Sequence, residues 1–215
     1  MSNIPSAGPV SLTGTTARTI GLAGGLTAVV NLLSLLVALV WIGPAAQVDR
    51  AVLNELALHN PAPILVQDVL KLVSAGLSIV LLNAFFRWLK PGSPGAVTLG
   101  TVLGGLSVLC LLGNAVLSLS GTLALQQMVP VATEPIAAQV GLVLGMLAFG
   151  SILLNGGWYA LVHWVARRQR ALPSGLTVLG LALGGLSLIP PLGILILVLS
   201  IVWALWLSRV MQRVR

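Results

Sequence analysis

Charge is what this sequence has least of. Its 215 residues include four acids, Asp49, Glu55, Asp68 and Glu134, and eleven basic residues. Charged residues make up 7% of the chain, where a soluble domain carries about a quarter. At 57% hydrophobic and a mean hydropathy of +1.05, the chain cannot clothe a water-facing surface, so its solvent is lipid.

Cysteine is nearly absent too. Cys110 stands alone inside an apolar run, which excludes an internal disulfide and a cysteine-built metal cluster. The two histidines, His59 and His163, are predicted on opposite sides of the membrane and cannot share a metal. There is no phosphate-binding glycine loop followed by lysine, no HExxH, no CxxC and no Ser–His–Asp set on one side. The four acids offer no close inward-facing pair of the kind an ion-coupled pump or metal enzyme needs. No catalytic residue, metal site or cofactor is assigned. The formal charge of +7 is read as topology rather than nucleic-acid binding, because the basic residues cluster at helix ends.

Long apolar runs are what the chain does have. Residues 1–18 read as a flexible N-terminal tail, and 19–215 as a single transmembrane domain. The first run starts after Arg18 and is too long for a signal-peptide core, so it is expected to stay as an anchor. Spans are predicted over about Thr19–Ile42, Ile64–Leu89, Ala96–Ser120 and Ile136–Val165, about twenty apolar residues being enough to cross the bilayer. In the loop between the first two, Val48, Val52 and Leu56 recur at helical spacing opposite Asp49 and Arg50. That pattern predicts a short amphipathic helix on the membrane surface, ended by Pro61 and Pro63.

The last stretch, Leu176–Leu207, reads either as one kinked helix or as two joined at Pro190-Pro191. The charge rule decides. With a hairpin at the diproline, every basic residue except Arg50 and Lys71 faces one side, and the acids lie in the other half. This gives an all-α polytopic protein of six transmembrane helices, with a short fifth span over about Pro173–Ile189. Both termini are then cytoplasmic, in the cell (inner) membrane.

One phrase occurs three times: TIGLAGGLT from Thr19, LGTVLGGLS from Leu99 and LGLALGGLS from Leu179. The second arms share wording too, in LSIVLLN from Leu77, GSILLN from Gly150 and LSIVWAL from Leu199. The expected architecture is three hairpin repeats, about 19–90, 96–170 and 173–215, around a pseudo-threefold axis. Gly24, Gly104 and Gly184 are expected packing points where backbones approach closely, as are Gly141 and Gly145 in a GxxxG pair.

The candidate ligand residues are polar side chains on these spans. Asn31 and Asn114 continue the small-residue stripes; Gln67, Lys71 and Ser74 share one face of the second span, with Asp68 beside them. Asp68 and Lys71, three apart, form a pair that either snorkels outward or marks a polar site opening to the outer leaflet. Trp158, Tyr159, His163 and Trp164, with Trp88, Trp203 and Trp206, are expected to form an aromatic belt at the cytoplasmic interface.

Phe85-Phe86-Arg87-Trp88-Leu89-Lys90-Pro91 and Arg167-Arg168-Gln169-Arg170-Ala171-Leu172-Pro173 each precede a glycine-rich helix. These junctions, with Thr16-Ala17-Arg18-Thr19-Ile20-Gly21-Leu22, resemble an uncharacterised bacterial family of small multi-pass membrane proteins. The resemblance implies the same order of helices and brings no activity or site residues. Three functions stay open at this point. One is binding or carrying a lipid or small apolar molecule. Another is a structural or regulatory subunit packing with other membrane proteins or with itself. The third is a membrane-embedded enzyme.

Overall fold

The chain is described by a computed structural model over residues 12–44, 50–127, 134–189 and 192–213. Seven α-helices follow one another: α1 (Gly14–Leu36), α2 (Arg50–His59), α3 (Ala62–Leu89), α4 (Pro94–Gln127), α5 (Glu134–Arg168), α6 (Ser174–Leu186) and α7 (Gly193–Gln212). No strand occurs among the described residues. Local chemistry sets several of these boundaries. The Thr13 hydroxyl accepts from the Thr16 amide at 3.4 Å and caps α1. That helix loosens into a π-helical stretch, Val37–Ile42, and stops at Gly43, whose φ of 85° suits only a residue without a side chain. Pro63 and Pro94 sit in first turns, where a missing amide hydrogen costs nothing. Pro63 therefore opens α3 rather than ending the surface helix. Val48 and Asp49 of that predicted surface helix lie outside the described residues, as does the diproline.

Five helical segments are long and apolar enough to cross a membrane: Gly14–Ile42, Ala62–Gly92, Pro94–Gln126, Gln139–Arg168 and Gly193–Gln212. The fifth span expected from the sequence is instead a shorter apolar helix, α6, of 13 residues. At 1.5 Å per residue it is about 20 Å long, short of the ~30 Å of hydrocarbon.

Side-chain contacts fix how the helices run. Lys71 on α3 meets Asn114 on α4, and Leu82 meets Gly104, so the two are antiparallel. Ser107 and Asn114 on α4 reach the carbonyls of Ser151 and Leu144 on α5. Gly156 on α5 abuts Ser187, and Gly180 on α6 abuts His163. Gly175, at the start of α6, lies against the Trp206 ring of α7. In one continuous helix those two would be about 46 Å apart, so the chain doubles back between α6 and α7. The ring closes where α1 packs on α7: a methyl at Gly24 would sit 3.2 Å from the Ala204 carbonyl oxygen, and Asn31 bonds Ser200. Helix α1 also packs on α3, and α2 leans on α4.

The first glycine of the Gly-Gly pair in each repeated phrase lies against a neighbouring helix. Gly24 on α1 abuts α7, Gly104 on α4 abuts Leu82 of α3 and Trp158 of α5, and Gly184 on α6 abuts Gly156 and Ala160 of α5. The partners of two of them, Gly105 and Gly185, have no atom within 4 Å of where a methyl would be. The same is true of Gly145, whereas close approaches on α5 fall at Gly156 and Gly157.

The basic residues gather at one end of the bundle, where Gln169 donates to the Leu89 carbonyl at 3.1 Å. Lys90 lies 4.6 Å over the Phe86 ring, and Arg168 lies 4.1 Å over Trp164. The expected aromatic belt is corrected here. Trp88, Trp158, Tyr159, His163 and Trp203 are buried in the core, and only Trp164 and Trp206 of that set are exposed. Their ring edges and faces interlock, with Trp158–Tyr159 and Tyr159–Trp203 centroids each 4.9 Å apart. Rings need a partner surface, and the glycines of the facing helices leave room for them inside.

Candidate ligand cavity

The ring of helices is filled at its basic end and hollow toward the other. A cavity of about 670 Å³ lies between α1, α3, α4, α5 and α7. Its floor is the aromatic cluster, through Trp158 and Tyr159. Its upper walls reach Leu39, Gln67 and Gly193, near the ends of their helices.

Of the residues singled out from the sequence, Asn31, Gln67, Lys71, Ser74 and Asn114 all line this cavity. They come from three helices that the chain order alone does not juxtapose. Asp68 is not on the wall but directly behind it, fully buried. Its Oδ1 accepts from Lys71 Nζ at 2.8 Å. Lys71 Nζ also donates to Asn114 Oδ1 at 3.0 Å, and Asn114 Nδ2 donates to the Leu144 carbonyl at 2.9 Å. Lysine thus binds inward across two helices rather than snorkelling away. Two of its three donors are used, leaving one without a partner among the described residues. Lys71 is the only charged residue among the described residues lining the cavity.

Depth explains how the charge is tolerated. Lys71 lies about 28 Å along α3 from Lys90, close to one hydrocarbon thickness. Lys71 therefore stands far from the basic end, and the cavity runs from Lys71 toward that end. Asn114 stands beside Lys71 and Gly104 beside Trp158, so the cavity is about 15 Å deep along α4.

Ser78, which shares a helical face with Gln67, Lys71 and Ser74, lines the cavity too; Ser151 and Ser200, at the matching places in the other two second-arm phrases, were not singled out as site residues and join it. Asn155 lines it one turn beyond Ser151. At the floor, Trp158 Nε1 and the Thr27 hydroxyl are buried with no partner among the described residues. A serine at position two of each phrase, followed on α5 by Asn155 and Trp158 at helical steps, was the available signal.

His163 stands below the floor and outside the cavity. It is fully buried, its Nδ1 pairs with the Tyr159 carbonyl at 2.8 Å, and its Nε2 accepts from Trp203 Nε1 at 2.8 Å. Indole nitrogen only donates, so Nε2 carries no proton and Nδ1 does. Both nitrogens are engaged, which gives His163 a structural role. No group of three His, Cys, Asp or Glu side chains able to hold a metal occurs among the described residues. No family model, curated protein or solved structure matches the chain.

Proposed function

We propose that this is a six-helix membrane protein of three hairpin repeats that binds or carries a small amphipathic molecule in the cavity. The observation that carries the reading is the cavity's wall. Its volume falls in the usual ligand-site range of about 300–1,000 Å³. Its polar groups include three, on Trp158, Thr27 and Gln67, that are buried and without a partner among the described residues. An unsatisfied buried donor costs about 1–3 kcal/mol, which a bound ligand or water would recover.

The repeat reading has two supports: the contacts of Gly24, Gly104 and Gly184 with neighbouring helices, and the convergence of Ser78, Ser151 and Ser200. The short α6 and the reversal after it also resemble the broken helices around which carriers build their sites. The gathering of basic residues at one end supports a cell-membrane location with that end and both termini cytoplasmic. A second reading, packing with another membrane protein or another copy, is favoured by Gly76, Gly105, Gly145 and Gly185, which face open space.

Mass spectrometry of the intact protein, released from mild detergent, tests the main reading. Wild type is expected to carry a co-purifying small molecule in stoichiometric amount. Ser78→Phe, which fills the cavity from a side chain with no assigned structural bond, is expected to lose it while folding normally. Retention by a folded Ser78→Phe protein would overturn the assignment.

A further inference from the structure

The helical ring is not equally tall all round. Helix α6 reaches only to Gly156 of α5, where Ser187 lies. From Gly156, α5 runs on to Glu134, about 33 Å further at the helical rise. Past the end of α6, α5 and α7 therefore face each other across the cavity with no helix between them among the described residues. Ala148 on α5 and Ile194 on α7 both line the cavity, and both are exposed. They stand on the two sides of the gap, or slot, that α6 leaves between α5 and α7. The slot spans the depth between Trp158 and Lys71, which is one leaflet of acyl chains.

The chemistry of slot and cavity differs. Ile194 at the slot is apolar, and its neighbours along α7, Leu195 and Val198, and Phe149 beside Ala148 on α5 are exposed apolar side chains. The cavity behind it offers hydroxyls, amides, an indole N–H and one ammonium, with no carboxylate among the described residues of its wall. One acceptor there, Gln67 Oε1, lacks a partner among the described residues; the Lys71 ammonium, the one charge among the described lining, favours an acceptor-rich, negatively charged group. The volume suits a headgroup rather than a whole two-chain lipid.

We propose that the slot between α5 and α7 is a portal from the leaflet on the Lys71 side of the membrane. Through it the cavity takes the phosphate headgroup of a membrane lipid, held at Lys71, while the acyl chains stay in the slot and the bilayer. This rests on the ligand-binding reading above and adds the ligand class and the route.

The test uses full-length protein in lipid nanodiscs. The probe is phosphatidic acid with a diazirine in one acyl chain; its neutral counterpart is diacylglycerol with the same chain. Photolabel is expected on residues 148–155 of α5 and 193–200 of α7, saturable by unlabelled phosphatidic acid and not by inorganic phosphate or glycerol phosphate. Lys71→Met is expected to reduce the preference for phosphatidic acid over diacylglycerol about tenfold, the value of about 1.4 kcal/mol. Ala148→Trp with Ile194→Trp is expected to slow exchange of bound lipid, followed by mass spectrometry with deuterated phosphatidic acid, about tenfold, again about 1.4 kcal/mol in the barrier.

The outcomes separate the two claims. No saturable binding of any probe to folded wild type would overturn the cavity reading and the portal with it. Saturable binding that glycerol phosphate displaces, or exchange unchanged in the double tryptophan variant, would overturn the portal and leave the cavity reading standing. Equal loss of both lipids in a folded Lys71→Met, Asp68→Asn double variant, which leaves no stranded carboxylate, would overturn the headgroup assignment.

Discussion

Trp203 on α7 donates its indole N–H to Nε2 of His163 on α5, 2.8 Å away, and so joins two helices that α6 otherwise holds apart. Both rings are almost completely buried. Trp203→Phe keeps most of the ring volume and leaves Nε2 without a donor. It is expected to destabilise the protein by about 1–3 kcal/mol, the cost of an orphaned buried acceptor. A thermal melt in detergent measures this, and an unchanged melting temperature would remove the bond from the account.

A second expectation concerns Asp68. It is buried behind the cavity wall with Lys71 as its one assigned partner, and its Oδ2 has none. Lys71→Met removes that partner and should destabilise by about 3 kcal/mol, as when one member of a buried pair is deleted. Lys71→Met with Asp68→Asn should recover much of the loss, because the stranded charge has gone. The two melts compared form one arm of a double-mutant cycle.

Glycines of the same pair should respond in opposite ways. A methyl at Gly184 would lie 2.9 Å from the Gly156 carbonyl oxygen and from the Ala160 amide nitrogen. Gly184→Ala is therefore expected to cost about 1–3 kcal/mol through overpacking. Gly185→Ala meets nothing within 4 Å and should be neutral or stabilising by about 0.5–1 kcal/mol, the helix preference of alanine over glycine. Thermal stability of the two variants, prepared side by side, decides it.

Orientation can be read with thiol chemistry, since Cys110 is the only native cysteine. In a Cys110→Ser background, Asn60→Cys should react with a membrane-impermeant maleimide applied to intact cells. Ser93→Cys, at the basic end, should react only after the membrane is opened. The reverse pattern would turn the molecule over.

The sequence carried the architecture further than the interior. Hydrophobic runs report the part of a helix that lipid touches, so the spans were legible while α4 was read as ending at Ser120 rather than Gln127. Gly24, Gly104 and Gly184 stood out by their spacing, and each lies where an added methyl would crowd a neighbouring helix, most tightly at Gly184. Asn31, Lys71 and Asn114 stood out because polar groups in lipid are costly. The aromatic residues were misjudged for a related reason. Trp158, Tyr159 and Trp203 lie near basic residues in the chain, the pattern of an interfacial belt, and nothing local distinguishes a ring facing headgroups from one facing a neighbouring helix. Their spacing from Ser151, Asn155 and Ser200 held the answer, since those residues face inward. The height of α6 was legible only as a short apolar run, because a hairpin turn at half depth leaves the same composition as one at the surface.

The seam between α1 and α7 has a consequence for how the protein is made. Gly21, Gly24 and Gly25 on α1 find their partners, Met211, Ala204 and Ser208, on the helix that emerges from the ribosome after all the others described. During synthesis α1 must therefore stay in the bilayer with that face uncovered while four further helices of the bundle, α3 to α6, are made. The docking of α7 on α1 waits for all of them, and a chain stalled before α7 would leave α1 open to capture by other membrane proteins.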